Sequence, residues 1–127
     1  MYKFLAISLL SFFIASISYA SVEGKGLFCA DEQGNKSKFI YFKDSSTFES
    51  FSINGYEITT RQWAYNLEGT KTIRLDYPGA FYYVNRQTLT LKRDYASSTT
   101  CAVANSRQQL ISKIQSIIDK AKSKNKL

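Results

Sequence analysis

The 127-residue sequence contains no histidine, one proline and only two cysteines. Without histidine there is no Ser-His or Cys-His nucleophile, no histidine zinc site and no usual general base near neutral pH. The two cysteines, Cys29 and Cys101, are 72 positions apart, which is not the spacing of a metal knuckle. We therefore predict that the protein is not an enzyme, with no catalytic residue, metal or cofactor.

A long apolar run occurs only at the N-terminus. Lys3 precedes an apolar segment over 4–17, and a small-x-small pattern follows at 18–20, as a signal peptidase requires. This run is shorter than the roughly 20 apolar residues of a membrane span. We predict a signal peptide over residues 1–20 and an exported mature chain, periplasmic or extracellular. A retained membrane anchor is the alternative.

Two cysteines in an exported chain favour a disulfide, because an oxidising compartment lets one persist. A Cys29–Cys101 bridge would join the first strand to the last and, through loop-closure entropy, stabilise the fold by roughly 4 kcal/mol. The alternative is two buried thiols.

The positive charge is concentrated at the C-terminus. The chain has a net charge of +7, and loss of Lys3 leaves 16 basic and 10 acidic residues, a net +6. Residues 105–127 carry six cations against Asp119, a net +5, whereas residues 21–104 carry ten cations and nine anions. A nearly neutral body argues against nucleic-acid binding.

Short runs rich in Phe, Tyr, Ile and Thr recur between turn signals, which is typical of an antiparallel all-β domain. We predict one such domain over residues 21–104, a small antiparallel β-barrel or strongly curved sheet of seven to nine strands. The predicted runs, some of which can fuse, are 25–30, 37–43, 47–53, 56–60, 62–67, 70–76, 80–84, 88–93 and 99–103.

Asn54-Gly55 is the clearest turn signal. This dipeptide tolerates two successive positive φ angles, as a type I′ hairpin requires. A two-residue loop at this position predicts that Ile53 faces Tyr56 and Phe51 faces Ile58.

Residues 105–127 predict a basic amphipathic helix and tail. Apolar residues recur at helical spacing, and Ser106 with Gln109 fits a capping box, so the helix is expected over 107–122. The apolar stripe consists of Leu110, Ile111, Ile114, Ile117, Ile118 and Ala121. Either this stripe packs across the open end or a face of the sheet, or the helix stays free on an anionic membrane surface. The lysines that would contact a membrane or partner are Lys113, Lys120, Lys122 and Lys124.

The stretch FYYVNRQTLTLKR, residues 81–93, combines aromatics with cations. If residues 85–88 connect a hairpin, Val84 pairs near Leu89 and Tyr82 near Leu91, and these four side chains share one face. The opposite face then consists of Phe81, Tyr83, Thr90 and Lys92.

Two interpretations of this stretch remain open. In the first, its outer face is ordinary strand surface. In the second, Phe81, Tyr83 and Lys92 form a platform that binds a ligand or partner, with Trp63 as a further candidate. Trp63 is also interpreted as an anchor of the core or rim.

The order of signal peptide, early Cys, strands, "YVNRQTLTLKR", second Cys and Lys-rich helix resembles short exported proteins of marine bacteria. Those share a Cys … Tyr-x-x-Asn-Arg-x-Thr-Leu-x-Leu … Cys plan, and the resemblance implies no activity. The size and Cys-to-Cys span are also similar to the membrane-bound lysozyme inhibitor family, which implies a small disulfide-closed barrel. Residues 65–72, YNLEGTKT, lack that family's Ser-Gly inhibitory segment, so no inhibitory residue is carried over.

From these observations we expect an exported, non-enzymatic binding or inhibitor-like module. It would act as a monomer on an unidentified protein or envelope ligand. The alternative is a cell-envelope or membrane-surface protein that acts through its basic helix. A small hydrolase with two converging carboxylates is a third class, although no spacing selects a pair among Glu49, Glu57, Glu68 and Asp76.

Overall fold

The computed structural model describes residues 21–30, 37–93 and 98–126. The predicted signal peptide lies outside the described residues. Eight antiparallel strands each pair with the next in sequence, and the last pairs with the first to close a barrel. The elements are β1 Gly26–Ala30, β2 Ser37–Phe42, β3 Thr47–Asn54, β4 Glu57–Glu68, β5 Thr72–Tyr77, β6 Ala80–Asn85, β7 Thr90–Arg93, β8 Thr99–Ala104 and α1 Arg107–Lys124. The predicted all-β barrel with one C-terminal helix is confirmed.

Strand alternation separates two apolar cores. In β2, Ile40 and Phe42 point into the barrel, whereas Phe39 points outward, because successive side chains of a strand face opposite sides. The inner core consists of Leu27, Cys29, Ile40, Phe42, Phe48, Tyr65, Ile73, Leu75, Val84, Leu91 and Cys101. The outer core consists of Phe39, Phe51, Ala104, Leu110, Ile114 and Ile118.

The disulfide lies at the seam where the barrel closes. Cys29 of β1 and Cys101 of β8 are directly opposite each other, with Cα atoms 4.0 Å apart and sulfurs 2.00 Å apart. Among the described residues, β8 shares two residue pairs with β7 and five with β1, so the pairing is more extensive on the side that the disulfide joins. The predicted bridge is confirmed, and it is compatible with an oxidising compartment.

The β3–β4 hairpin differs from its prediction by two residues in pairing register: Phe51 faces Thr60 rather than Ile58, because the loop lies one residue further along the chain. Ile53 faces Ile58 and Asn54 faces Glu57, so the loop is Gly55-Tyr56 rather than Asn54-Gly55. Gly55 has φ +66° and Tyr56 does not have a positive φ, which matches the type II′ turn with glycine first. The predicted runs 56–60 and 62–67 fuse into β4.

The β6–β7 connection is longer than predicted. Val84 faces Leu91 rather than Leu89, which is a two-residue shift. The Asn85 side chain accepts hydrogen bonds from the backbone N–H groups of Gln87 and Thr88, which stabilises a wider turn. Because the shift is even, the predicted division of side chains between the two faces is retained.

The helix packs on the outside of the barrel against β1, β2 and β8. Leu110, Ile114 and Ile118 are buried there, so the stripe covers a face of the sheet. A Cβ atom on Gly26 would lie 3.2 Å from Leu110 Cδ2, so this glycine permits the close approach of the helix to β1. Ala121, predicted to belong to the stripe, is exposed, because the helix has passed the buried contact surface by this turn.

The start of the helix is fixed by polar contacts. The Ser106 hydroxyl accepts a hydrogen bond from the Gln109 backbone N–H at 3.1 Å, as the capping box predicts. The Gln109 side chain accepts from the Asn105 N–H, one residue earlier than the ideal box. Arg107 forms a two-bond ion pair with Glu49 of β3, at 2.9 and 3.1 Å, and Glu49 is only 7% exposed. Within the described ranges, no helix is long and apolar enough to cross a membrane.

Removal of the disulfide by Cys29→Ala with Cys101→Ala is expected to lower the free energy of unfolding by about 2–5 kcal/mol, because the unfolded chain regains the entropy of an open loop. Urea denaturation of the oxidised proteins measures this difference. A reductant should destabilise the wild type and leave the double variant unchanged. Equal stability of the two oxidised proteins would contradict a structural role for the bridge.

Arg107→Gln is expected to lower the free energy of unfolding by about 2 kcal/mol, because it leaves the buried Glu49 carboxylate without its charged partner. Glu49→Gln is the second single variant, and the double variant Glu49→Gln with Arg107→Gln should recover most of the loss, since no buried charge remains. Urea denaturation of the wild type, both single variants and the double variant gives the coupling energy. If the stability changes of the two single variants add up to that of the double variant, the ion pair contributes no interaction energy.

Candidate functional site

One end of the barrel contains a cleft with a volume of about 550 Å³, formed around the β3–β4 and β5–β6 hairpins. We call it the cationic cleft. Its lining is mostly polar. The lining residues are Lys38, Ser50, Ser52, Ile53, Asn54, Thr59, Arg61, Trp63, Tyr77, Pro78, Ala80, Tyr82 and Arg93.

The opposite end of the barrel has a different character. Residues 21–25 lie across it, held by backbone hydrogen bonds from Gly24 to Phe42 and from Phe42 to Lys25. Val22 packs against the inner core. The smaller cavity there, about 190 Å³, is lined mainly by apolar residues such as Leu27 and Ile73. A polar ligand is therefore better suited to the cationic cleft.

Three cations converge in the cationic cleft: Lys38, Arg61 and Arg93. None of them forms an ion pair with a carboxylate of the described residues, and the described lining contains no acidic side chain. Glu57 lies at the tip of the same hairpin but outside the lining, and it is exposed. The described part of the cleft therefore has an uncompensated positive potential.

Aromatic rings surround the half-buried lysine. The Lys38 Nζ atom lies 4.6 Å from the ring centroid of Tyr77 and 4.5 Å from that of Tyr82, which are cation–π distances. The two tyrosine rings pack edge to face, with centroids 4.9 Å apart. These contacts orient the lysine without neutralising its charge.

The Tyr77 hydroxyl is a buried donor in the cleft without a hydrogen-bond partner among the described residues. Burial raises the pKa of Tyr77 to about 12, and the neighbouring Ser50 hydroxyl, which does not complete a hydrogen bond in the structure, opposes that rise. Tyr77 therefore keeps its proton at physiological pH. A ligand oxygen that entered the cleft could accept that proton in a hydrogen bond.

A gap in strand pairing forms one wall of the cleft. The β4–β5 ladder joins residues 65–68 to residues 72–75 and extends no further. Residues 57–64 of β4 pair with β3 alone, so the other edge of this segment has no strand partner within the described chain. Thr59, Arg61 and Trp63 line the cleft from this edge, and Tyr77 and Ala80 line it from the β5–β6 hairpin.

The four residues predicted to bind a ligand are divided by the barrel wall. Trp63 is partly buried, packs against the inner core and lines the cationic cleft, which agrees with its interpretation as a rim anchor. Phe81 is exposed, and Tyr83 and Lys92 face each other across β6 and β7 on the outer surface. The structure therefore groups those three together and separates them from Trp63.

The outer group is already engaged in local contacts. The Arg74 guanidinium lies 4.9 Å from the Phe81 ring centroid, and it forms ion pairs with Glu68 and Asp76. Those contacts, with the hydrogen bond to Asp76 as the largest cause, raise the pKa of Arg74 above its ordinary value. This surface thus has balanced charge, unlike the cationic cleft.

The predicted helix lysines are distributed over the helix surface. Lys113 lies over the Phe28 ring at 5.3 Å, and Lys122 lies over the Tyr56 ring at 5.2 Å. Lys120 and Lys124 are exposed. The contact to Tyr56 joins the last helical turn to the β3–β4 hairpin, and it is reinforced by a hydrogen bond from the Asn125 amide to the Tyr56 hydroxyl.

Three of the four candidate carboxylates form ion pairs with arginine in the described structure. Glu49 pairs with Arg107, and Glu68 and Asp76 pair with Arg74. The described residues also contain no cluster of three or more side chains that could hold a metal ion.

Sequence reasoning missed Lys38, Arg61 and Arg93 as a group. A signal was available, because each occupies a position in phase with inward-facing residues of its own strand. Lys38 is two residues before Ile40, and Arg93 is two residues after Leu91. A cation at an inward position of a barrel strand has to face an opening, another charge or a ligand.

Tyr77→Phe is expected to change how stability depends on pH above 10. Because the folded pKa of Tyr77 is about 12 and its ordinary value is 10.0, the unfolded state loses the proton first. Wild-type stability should therefore fall, relative to the variant, as pH rises from 10 towards 12, by up to about 2 kcal/mol. Urea denaturation at several alkaline pH values measures this, with the exposed-tyrosine variant Tyr56→Phe as the control. If the stability of the wild type and of Tyr77→Phe changed in parallel with pH, the raised pKa of Tyr77 would be contradicted.

Comparison with known proteins gives no further evidence of identity. No protein-family model, no curated protein and no solved structure matches this chain. The two resemblances noted from the sequence stay predictions, and the interpretation of the site depends on the residues described above.

Proposed function

We propose that the protein is an exported, non-enzymatic binding module whose ligand is anionic and occupies the cationic cleft. One observation carries this proposal: Lys38, Arg61 and Arg93 converge in a concave site whose described lining offers no carboxylate to pair with them. The remaining lining groups, hydroxyls and aromatic rings, suit the same ligand.

Electrostatics favours an anion in this position. The three positive charges at one mouth repel each other, and partial burial of Lys38 reduces the hydration of its ammonium group. A bound anion would lower the repulsion and replace the lost hydration. Residues 21–104 carry ten cations and nine anions, so a site lined by three cations and by no described carboxylate differs from the body as a whole.

The size and chemistry of the cleft also support binding. Its volume of about 550 Å³ lies within the range of sites that enclose small ligands or short segments. Trp63 and Tyr82 provide flat apolar surface, and the Tyr77 hydroxyl provides a protonated donor. Such a mixture of a few polar groups with aromatic walls fixes both orientation and affinity.

Export is part of the proposal and is supported by two features. The disulfide is compatible with an oxidising compartment, and residues 1–20 have the pattern of a signal peptide. A binding role rather than a catalytic one is supported by the absence of histidine and by the ion pairs that engage Glu49, Glu68 and Asp76.

The membrane-surface alternative receives less support from the helix. An interfacial helix inserts its apolar face into the lipid, but Leu110, Ile114 and Ile118 are buried against the barrel. Because this apolar face is buried, the helix could bind a membrane surface only by electrostatic attraction through exposed lysines such as Lys120 and Lys124. We therefore favour the cationic cleft.

Addition of inorganic tripolyphosphate is expected to change the fluorescence of Trp63 in a saturable way. Trp63 is the single tryptophan and lines the cleft, and the probe carries charge without absorbing in the tryptophan band. Arg61→Gln should weaken binding about tenfold, because it removes one charge-assisted contact. Fluorescence titration at low ionic strength measures the dissociation constants.

Lys124→Gln is the matched control for this titration, because it makes the same change in net charge on the exposed helix. It should leave the dissociation constant nearly unchanged. The proposed function is wrong if tripolyphosphate does not alter Trp63 fluorescence, or if Lys124→Gln weakens binding as much as Arg61→Gln.

A further inference from the structure

We propose that the natural ligand of the cationic cleft is an extended acidic segment of another protein, which adds as a strand to the free edge of β4. This inference rests on the proposed function, because the same cations select the segment. The additional observation that carries it is that, among the described residues, no strand pairs with residues 57–64 on the side facing the cleft.

The phase of the β3–β4 ladder determines which backbone groups are free. Asn54 and Glu57 flank the two-residue loop, and in an antiparallel ladder the hydrogen-bonded pairs then recur at every second residue. The Tyr65 N–H donates to the Ser46 carbonyl on the β3 side, which agrees with this phase. The N–H and C=O groups that point away from β3 belong to Ile58, Thr60, Gln62 and Ala64.

The free edge is long and accessible. Thr60, Gln62 and Ala64 are exposed, and eight residues of antiparallel strand extend over roughly 27 Å. Natural edge strands are often protected by proline, a bulge, a covering element or charged side chains, including inward-pointing ones. The segment EITTRQWA contains no proline and pairs with β3 in continuous register, and its inward-facing cation Arg61 would repel a basic strand but attract an acidic one. It has the geometry that an added strand requires.

The cleft charges select an acidic partner. On β4, Thr59, Arg61 and Trp63 alternate toward the cleft, so every second side chain of an added strand would also face into it. Those side chains would meet Arg61 from the edge and Lys38 and Arg93 from across the cleft. A segment with carboxylates at alternate positions would therefore combine backbone pairing with charge-assisted contacts.

The same charges disfavour a second copy of this chain as the occupant. The chain has a net charge of +7, and pairing of two β4 edges would bring a second Arg61 toward a cleft that already contains three cations. Like charges placed together in an interface reduce affinity and exclude wrong partners.

The test uses a synthetic peptide with four Glu-Val repeats and blocked termini. In an extended strand its carboxylates lie on one face and its valines on the other. Saturable changes in Trp63 fluorescence report binding. One control peptide has Gln in place of Glu, and another carries N-methyl groups on every backbone amide, which keeps every charge but prevents strand addition. Both controls should bind at least tenfold more weakly than the parent peptide.

Thr60→Pro tests the edge of the protein itself. The Thr60 N–H points away from β3, so proline removes a free donor and places its ring at the edge without breaking a β3 hydrogen bond. This variant should bind the peptide at least tenfold more weakly and bind tripolyphosphate as the wild type does. Thr60→Val keeps the N–H and should bind both probes normally. Circular dichroism and thermal unfolding establish that both variants are folded.

The outcomes separate the two proposals. Loss of peptide binding with retained tripolyphosphate binding in Thr60→Pro supports strand addition. Equal binding of the N-methylated peptide, or unchanged peptide affinity in Thr60→Pro, overturns strand addition but leaves anion binding in place. A dimer of the wild type that Thr60→Pro converts to monomer would show that a second copy occupies the edge. If neither probe alters Trp63 fluorescence, both proposals are wrong.

Discussion

The closure between β1 and β8 is the constraint on which the rest of the structure depends. Among the described residues, β8 shares two residue pairs with β7 but five with β1, to which the Cys29–Cys101 disulfide also joins it covalently. The helix follows β8 directly and packs over the same seam, where Gly26 allows its close approach. One short region therefore closes the barrel and positions α1.

Closure also explains why the two barrel ends differ. Each strand contributes apolar inward residues in its middle, but the strands are not equally long, and the β3–β4 hairpin extends beyond the β4–β5 ladder. Where the ladder ends, the interior becomes polar and the inward positions are occupied by Lys38, Arg61 and Arg93. Arg61 and Arg93 are exposed at this mouth and Lys38 is partly buried, so water solvates most of the positive charge there.

Alternation within strands was predictable from the sequence, and register was only partly so. Side chains alternate between the two faces of a strand, which placed Tyr82 and Val84 on one face of β6 and Phe81 and Tyr83 on the other. An error of two residues in the pairing register does not change this assignment. The β3–β4 loop shifted by one because Gly55 alone supplies the positive φ. Convergence of the three cations depended on closure between strands distant in sequence, which local patterns do not determine.

The contact between the last helical turn and Tyr56 has a mechanical consequence. Lys122 and Asn125 hold the tip of the β3–β4 hairpin, while Leu110, near the beginning of the same helix, lies against Gly26 at the seam. The helix thus connects the β1–β8 seam, which the disulfide closes, to the β3–β4 hairpin that borders the cationic cleft. Outward displacement of this hairpin would therefore break the contacts of Tyr56 with Lys122 and Asn125.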